Sequence, residues 1–305
     1  MSDRTQHQDI RIGTMAGRGE NTAEYIRQIL PHGFECFQIN FWQELPKGLT
    51  LKQMAKQVHR VLDEHADATG HRAVVSSLGM FGNPLQEASH AAGWRKCIDA
   101  CEAFGCELVC GFAGALEDRP VPESIPKFKK VFGPLAKRAA DKGVRLAFEN
   151  CDMGGNWERP RFNIAHAPAG WELMFDAVPD ENVGLEWEPC HQMNSLIDPI
   201  AQLREWIDKV FHVHGKDASV HWDVIRRHGL RGDQPITHHR TPGFGDTNWT
   251  DVISILRQHG YRGFIDIEGW HDPVYRGDLE MTGQVHSLKY LQHCRGGAYV
   301  KEPTA

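Results

Sequence analysis

Short apolar runs alternate with longer amphipathic stretches along the whole chain. The runs are "IRIGTMAG" (10–17), "CFQINFW" (36–42), "RAVVSSLG" (72–79), "ELVCGFAG" (107–114), "VRLAFEN" (144–150), "VGLEWEP" (183–189), "VFHVHGKD" (210–217) and "GFIDIEG" (263–269). Each has the length of a strand, and the segments between them carry helix signals. "TLKQMAKQVHRVLDEH" has Thr50 and Gln53 at capping-box spacing and puts Leu51, Met54, Ala55, Val58, Val61 and Leu62 on one face. "PKFKKVFGPLAKRAADKG" and "TDVISILRQHG" stop at Gly143 and Gly260, each shortly before a strand. Strands alternating with helices demand a parallel sheet, and eight such units predict an α/β chain closed into a single (β/α)8 barrel over residues 1–305. A doubly wound open sheet is the rival, but no G-x-G-x-x-G follows the first strand. Residues 1–9 are expected to fray, and 218–247 reads as one long loop, a kind of segment that is usually functional.

Composition narrows the function. With 41% hydrophobic and 24% charged residues and a net charge of -6, the 305-residue chain reads as a soluble enzyme. It has no electrostatic footprint for nucleic acid or an anionic membrane. No apolar run approaches a membrane span, and "MSDRTQHQDI" is no signal peptide, so a cytoplasmic location is expected. Cys97, Cys101, Cys106 and Cys110 lack paired C-x-x-C spacing and lie where a helix turns into a strand. They are expected to be small buried hydrophobes, with no metal and no disulfide.

Side-chain alternation locates the chemistry. Val144, Leu146 and Phe148 share one face of the fifth strand, which turns Ala147 and Glu149 inward. By the same parity Glu186 and Glu188, then His212, His214 and Lys216, then Asp266 and Glu268 point inward, while Phe211 and Val213 point out. Glu149, Glu188, His214 and Glu268 therefore end four strands at the barrel mouth, where this architecture keeps its active sites. Three carboxylates and an imidazole would repel one another without a cation. The set suits one divalent ion, manganese first, with magnesium, cobalt or zinc as substitutes. Isolated salt bridges at four strand ends are the plainer alternative. Beneath the mouth, Glu186, His212 and Asp266 are expected to form a hydrogen-bonded layer that holds the ligands.

These residues also carry a resemblance. "AFEN", "EPCH", "HVHGKD", "PGFGDTNW" and "IDIEG" occur in the order found in the xylose isomerase-like family of TIM barrels, sugar isomerases and epimerases that share a fold with AP endonucleases. Glu188 stands where that family usually has aspartate. The resemblance implies a divalent-metal-dependent sugar isomerase or epimerase acting on a keto-sugar through an enediolate, with Glu149 and Glu268 removing and returning the proton.

Four more residues are candidates for binding substrate. His191 could donate to a substrate oxygen, or lie at the surface or behind the ligands, and Lys216 could hold an anionic oxygen, or pair with Asp217 or a loop acid. Arg240 could grip substrate or face solvent, and Trp157 could wall the pocket or simply pack. A nuclease is disfavoured because "SSLGMFG" and "CGFAGA" carry no metal-binding histidines at the third and fourth strand ends. A non-catalytic sugar-binding barrel is disfavoured because all four ligand positions are filled. A metal-dependent lyase or dehydratase, such as one acting on a 3-keto-glycoside within a C-glycoside-cleaving complex, stays open because it shares the first step. The expected partner is a small sugar, in a chain that assembles as a homo-oligomer.

Overall fold

The computed structural model describes residues 9–298, 300 and 303. Eight parallel strands close a barrel: β1 (Arg11–Met15), β2 (Cys36–Trp42), β3 (Val74–Phe81), β4 (Leu108–Gly111), β5 (Arg145–Glu149), β6 (Val183–Trp187), β7 (Val210–Gly215) and, after the excursion described below, β10 (Phe264–Ile267). Consecutive strands of this set are neighbours, and β10 pairs with β1 to complete the ring. Each apolar run read from the sequence supplies one of these strands.

Helices α1 (Thr22–Ile29), α2 (Leu51–Thr69), α3 (Ala88–Phe104), α4 (Val121–Ala140), α5 (Pro168–Ala177), α6 (Pro189–Asn194) and α7 (Pro199–Trp206) join successive strands up to β7. In α2 the Thr50 hydroxyl accepts from the Gln53 amide, and the Gln53 side chain accepts from the Thr50 amide. Met54, Ala55, Val58, Val61 and Leu62 are buried on its inner face, as the period-3.6 pattern requires. Gly143 takes a left-handed φ of 67° in the turn that follows α4 and leads into β5.

The stretch 218–247 departs from the expected loop. It carries an antiparallel hairpin of β8 (Asp217–Val220) and β9 (Thr237–Arg240), with helix α8 (Trp222–His228) between its strands. Helices α9 (Trp249–Gln258) and α10 (Glu280–Arg295) complete the outer layer. Residues 1–8 of the expected frayed segment lie outside the described residues. Asp9 is corrected: it is 7% exposed, and both its oxygens meet Arg257.

Phe211 also departs from simple alternation. The β6–β7 register runs Leu185↔Val210 and then Glu186↔His212, so Phe211 is skipped as a bulge. Its ring joins Leu108, Cys110 and Ala147 inside the barrel and so forms part of the floor. The bulge leaves His212 and His214 inward and Val213 in the main core. Cys97, Cys101, Cys106 and Cys110 are buried and free. Among the described residues, no helix is long and apolar enough to cross a membrane.

Candidate active site

The apolar face of each strand fixes its inward residues. Phe148 packs outward against Trp94, Phe128 and Phe132, which leaves Glu149 facing the axis. Trp187 likewise points out, its indole donating to Gln202 of α7 at 3.0 Å. Glu188 follows at the start of α6, where Pro189 opens the helix. Asn150 clamps the Glu188 backbone, accepting from its amide at 2.7 Å and donating to its carbonyl at 2.8 Å. Asn163 donates to the carbonyls of Glu149 and Cys151 at 2.7 and 2.8 Å.

The four strand-end residues converge. One donor atom from each of Glu149, Glu188, His214 and Glu268 lies within 4.8 Å of all the others, and each residue is at most 5% exposed. His214 Nδ1 lies 3.0 Å from Glu149 Oε1, 3.3 Å from Glu268 Oε2 and 3.9 Å from Glu188 Oε2. Both oxygens of Glu188 and Oε2 of Glu268 are buried without a hydrogen-bond partner. His191 Nε2 comes within 2.9 Å of Glu188 Oε1, but the contact is not directed as a hydrogen bond.

Electrostatics mark the strain of this arrangement. Burial pushes the Glu149 carboxyl up to about 8, with Glu188 and Glu268 adding to the rise against the His214 hydrogen bond. Burial also lifts Glu188 to about 7, although Lys216 opposes the shift. For Glu268 burial is outweighed by Lys216 and His214, which hold it well below the usual carboxylate range. Unpartnered carboxylate oxygens around one imidazole nitrogen are the donor set of a hard divalent cation. Glu149, Glu188, His214 through Nδ1, and Glu268 could hold one.

In the layer beneath, His212 is hydrogen-bonded to Asp266 and meets Glu186 in a close contact not directed as a hydrogen bond. Glu186, His212 and Asp266 have no solvent exposure. His212 Nε2 bonds Asp266 Oδ2 at 2.8 Å, and its Nδ1 lies 2.9 Å from Glu186 Oε1. Burial lowers the His212 pKa, but the two acids more than offset it and the net direction is up. Ser76 donates to Asp266, and the Cys36 thiol lies 3.2 Å from its other oxygen. Gln38 donates to Glu186 and to Ser77, while its carbonyl sits 3.0 Å from His214 Nε2. For His214 Nδ1 to bind a cation beside the acids, its proton would sit on Nε2, which faces Gln38 and Glu186.

The other candidates divide. Lys216 is 2% exposed and donates to Glu268 Oε1 at 2.8 Å, with His191 Nε2 at 3.2 Å. It does not pair with Asp217, whose carboxylate accepts from Ala218, Thr247 and Trp249. His191 is buried beside it, not at the surface. Arg240 is corrected: its Nε donates to Asp272 at 3.0 Å, and its neighbour His239 faces the cavity because successive β9 residues point to opposite sides. Trp157 is corrected too, because its loop folds back onto α4, where its carbonyl accepts from Val121 and its ring packs on the main core.

A cavity of about 680 Å³ opens over the three acids and the histidine, lined on that side by Glu149, His191, Lys216, His239, Glu268 and His271. Its other side, formed by Met15, Trp42, Phe81, Phe112, Met153 and Trp270, was not singled out from the sequence. Grooves of about 810 and 800 Å³ near α2 and α3 contain none of the converging residues. Gln38 was also missed, although a glutamine between Phe37 and Ile39 has inward parity and was therefore detectable.

The sequence profile of the xylose isomerase-like TIM barrel family matches residues 26–294. An inosose dehydratase of Clostridium tetani is 30% identical over 183 residues, 58% of this chain and 57% of that protein. The chain spans about half the length of the curated relatives it matches. Among solved structures, a 3-keto-D-glucoside 4-epimerase from E. coli superposes with a TM-score of 0.67 at 17% identity, over 94% of this chain and 100% of that one. A probable 3-DHS dehydratase from Bacillus anthracis gives 0.66 at 11% identity, over 93% and 99%. At those identities the structural likeness is one of fold. On the profile match, which covers most of its length, the chain belongs to the xylose isomerase-like TIM barrel family.

Proposed function

We propose that the chain is a divalent-metal-dependent enzyme that removes the proton beside the ketone of a sugar and returns it, as a sugar epimerase or isomerase. The observation that carries this reading is the convergence of Glu149, Glu188, His214 and Glu268, with carboxylate oxygens buried and unpartnered. Manganese is the first choice of ion for that oxygen-rich set. The chemistry supplied by a bound ion is polarisation of the carbonyl and compensation of the charge that develops on its oxygen.

The chain's own groups do the rest. Glu149 ends β5 and Glu268 follows β10, with β6 and β7 between them, so their carboxylates reach a substrate from different sides. One takes the proton from the α-carbon, and the other, protonated beforehand, delivers its own proton to the opposite face, after which both exchange with solvent. The Lys216 ammonium and His191 imidazole line the same side of the cavity, where they donate to substrate oxygens.

A dehydratase is the second reading, favoured by the 30% identity to a protein named inosose dehydratase. It shares proton removal, after which a group on the next carbon leaves with a proton from Lys216 or His191.

The test is incubation of the manganese-loaded protein in D₂O with ketoses, an inosose and 3-keto-glycosides, followed by NMR. Deuterium at the α-carbon with a new stereoisomer supports the epimerase, and an unsaturated product or released aglycone supports the lyase. Absence of exchange on every substrate, with manganese binding verified calorimetrically, overturns both.

A further inference from the structure

The rim of the barrel is divided in two. On β5, β6, β7 and β10 the strand ends carry Glu149, Glu188, His214 and Glu268. On β1, β2 and β3 they carry Met15, Trp42 and Phe81, and Phe112 stands one residue past β4. Met15, Phe81, Phe112 and Cys151 form an apolar cluster of their own, separate from the main core, with Met153, Phe162 and Trp270 packed on it. We propose that this half of the rim is a subsite for an aromatic ring carried by the substrate. The class acted on is then keto-glycosides with a planar apolar aglycone, not free ketoses. The proposal rests on the reading of the site given above.

Three observations support it. First, Trp42 stands 52% exposed at the cavity, edge-on to Phe112 with ring centres 6.1 Å apart, so a large apolar surface faces the substrate space. Apolar walls with few polar groups are what ligand pockets use for hydrophobic substituents. A polyol laid there would find few groups to pair its hydroxyls with, since Asn40 and Asp152, the latter between Cys151 and Met153, are the polar side chains beside six large apolar ones.

Second, the cavity of about 680 Å³ falls within the range of about 300–1,000 Å³ typical of pockets for drug-sized ligands. A sugar ring held at the acids leaves room beside it.

Third, the backbone is constrained here. Among the described residues, four non-glycine residues have left-handed φ: Gln43 (62°), Met153 (51°), Phe162 (60°) and Leu196 (58°). Met153 and Phe162 belong to the apolar cluster, and Gln43 directly follows Trp42. Bulky side chains take this conformation only where their surroundings enforce it, and such positions gather at ligand sites. The arrangement leaves the aglycone ring edge-on or offset to Trp42, Phe112 and Trp270.

The probes are phenyl and methyl 3-keto-β-D-glucopyranoside, followed by α-carbon deuterium exchange, with unoxidised phenyl and methyl β-D-glucopyranoside as ligands for calorimetry. The expected result is a phenyl-over-methyl preference of about tenfold in kcat/KM and in affinity. Trp42→Ala, whose ring is half in solvent, is expected to bring both ratios close to one. Phe112→Leu, which keeps bulk in the wall, is expected to reduce them partway. Equal values for the two probes, or a preference that survives Trp42→Ala, would overturn the subsite. Exchange on the methyl keto-glycoside in that case leaves the proposed function standing. Tighter phenyl binding that depends on Trp42, with no exchange on either ketone, supports the subsite and sinks the function.

Discussion

The two ends of the barrel use the same residue types to opposite effect. At the N-terminal end, Glu35 is held by Arg295 through hydrogen bonds of 2.6 and 2.8 Å, and Asp9 meets Arg257. There each buried carboxylate faces a guanidinium. At the C-terminal end, Glu149, Glu188 and Glu268 crowd around His214, with Lys216 as the one ammonium within ion-pair range of them among the described residues. Three carboxylate oxygens in that group have no hydrogen-bond partner. A buried ionised acid is tolerable only when paired, so the lower acids are structural, while the upper ones form a candidate group for an added cation. The fold assigns its ends in the same way, with chemistry at the C-terminal face and stability at the other.

The comparison breaks most sharply at Glu268. Glu268→Gln is expected to lower α-proton exchange by about 10²–10⁴-fold, the range for loss of a general acid or base. Its thermal midpoint should fall, because the buried Lys216 ammonium loses the carboxylate that it donates to. A variant of full activity would remove the assignment. Arg295→Met tests the other end: loss of the guanidinium from this buried pair should cost about 3–5 kcal/mol in urea unfolding, with manganese affinity unchanged in the protein that remains folded. Unaltered stability would mean that the ends do not differ as described.

The layer between them should give a smaller effect. His212→Leu is expected to weaken manganese binding by about 10–100-fold in calorimetry while the circular dichroism spectrum is kept. Unchanged affinity would show that the polar layer does not support the site. The smallest effect concerns Asp9, which burial pushes up but which Arg257 and the Ile10 amide bring below its ordinary value. A carboxyl with a lowered folded pKa stabilises the fold above its unfolded pKa, and that contribution is lost as pH falls through the folded value. Asp9→Asn should therefore cost about 1 kcal/mol at pH 7 and progressively less below about pH 4. A pH-independent difference would refute the ion-pair account.

Much of this was legible in local patterns. Strand and helix positions follow from periods of 2 and 3.6, and the inward set Glu149, Glu188, His214 and Glu268 follows from parity on four separate strands. What was misread involved partners distant in sequence. Arg240 is taken by Asp272, 32 residues on, and Trp157 by the α4 packing, while Phe211 turns inward because of a register slip against β6. The hairpin of β8 and β9 escaped notice because its strands are short and half-polar, so burial gave them no alternating signature.

By itself, then, the sequence determined the eight-strand alternation and which side chains turn toward the axis, because both depend on neighbours two to four residues apart. The tertiary structure alone decided which inward groups meet. Closure and stagger brought His214 Nε2 to Gln38, 176 residues away, and set Lys216 on Glu268 rather than on adjacent Asp217. They also gathered Met15, Trp42, Phe81 and Phe112 into one wall. The physical reason is that parity fixes the direction of a side chain but not its height, and height in a closed barrel is set by the register of every strand against the next.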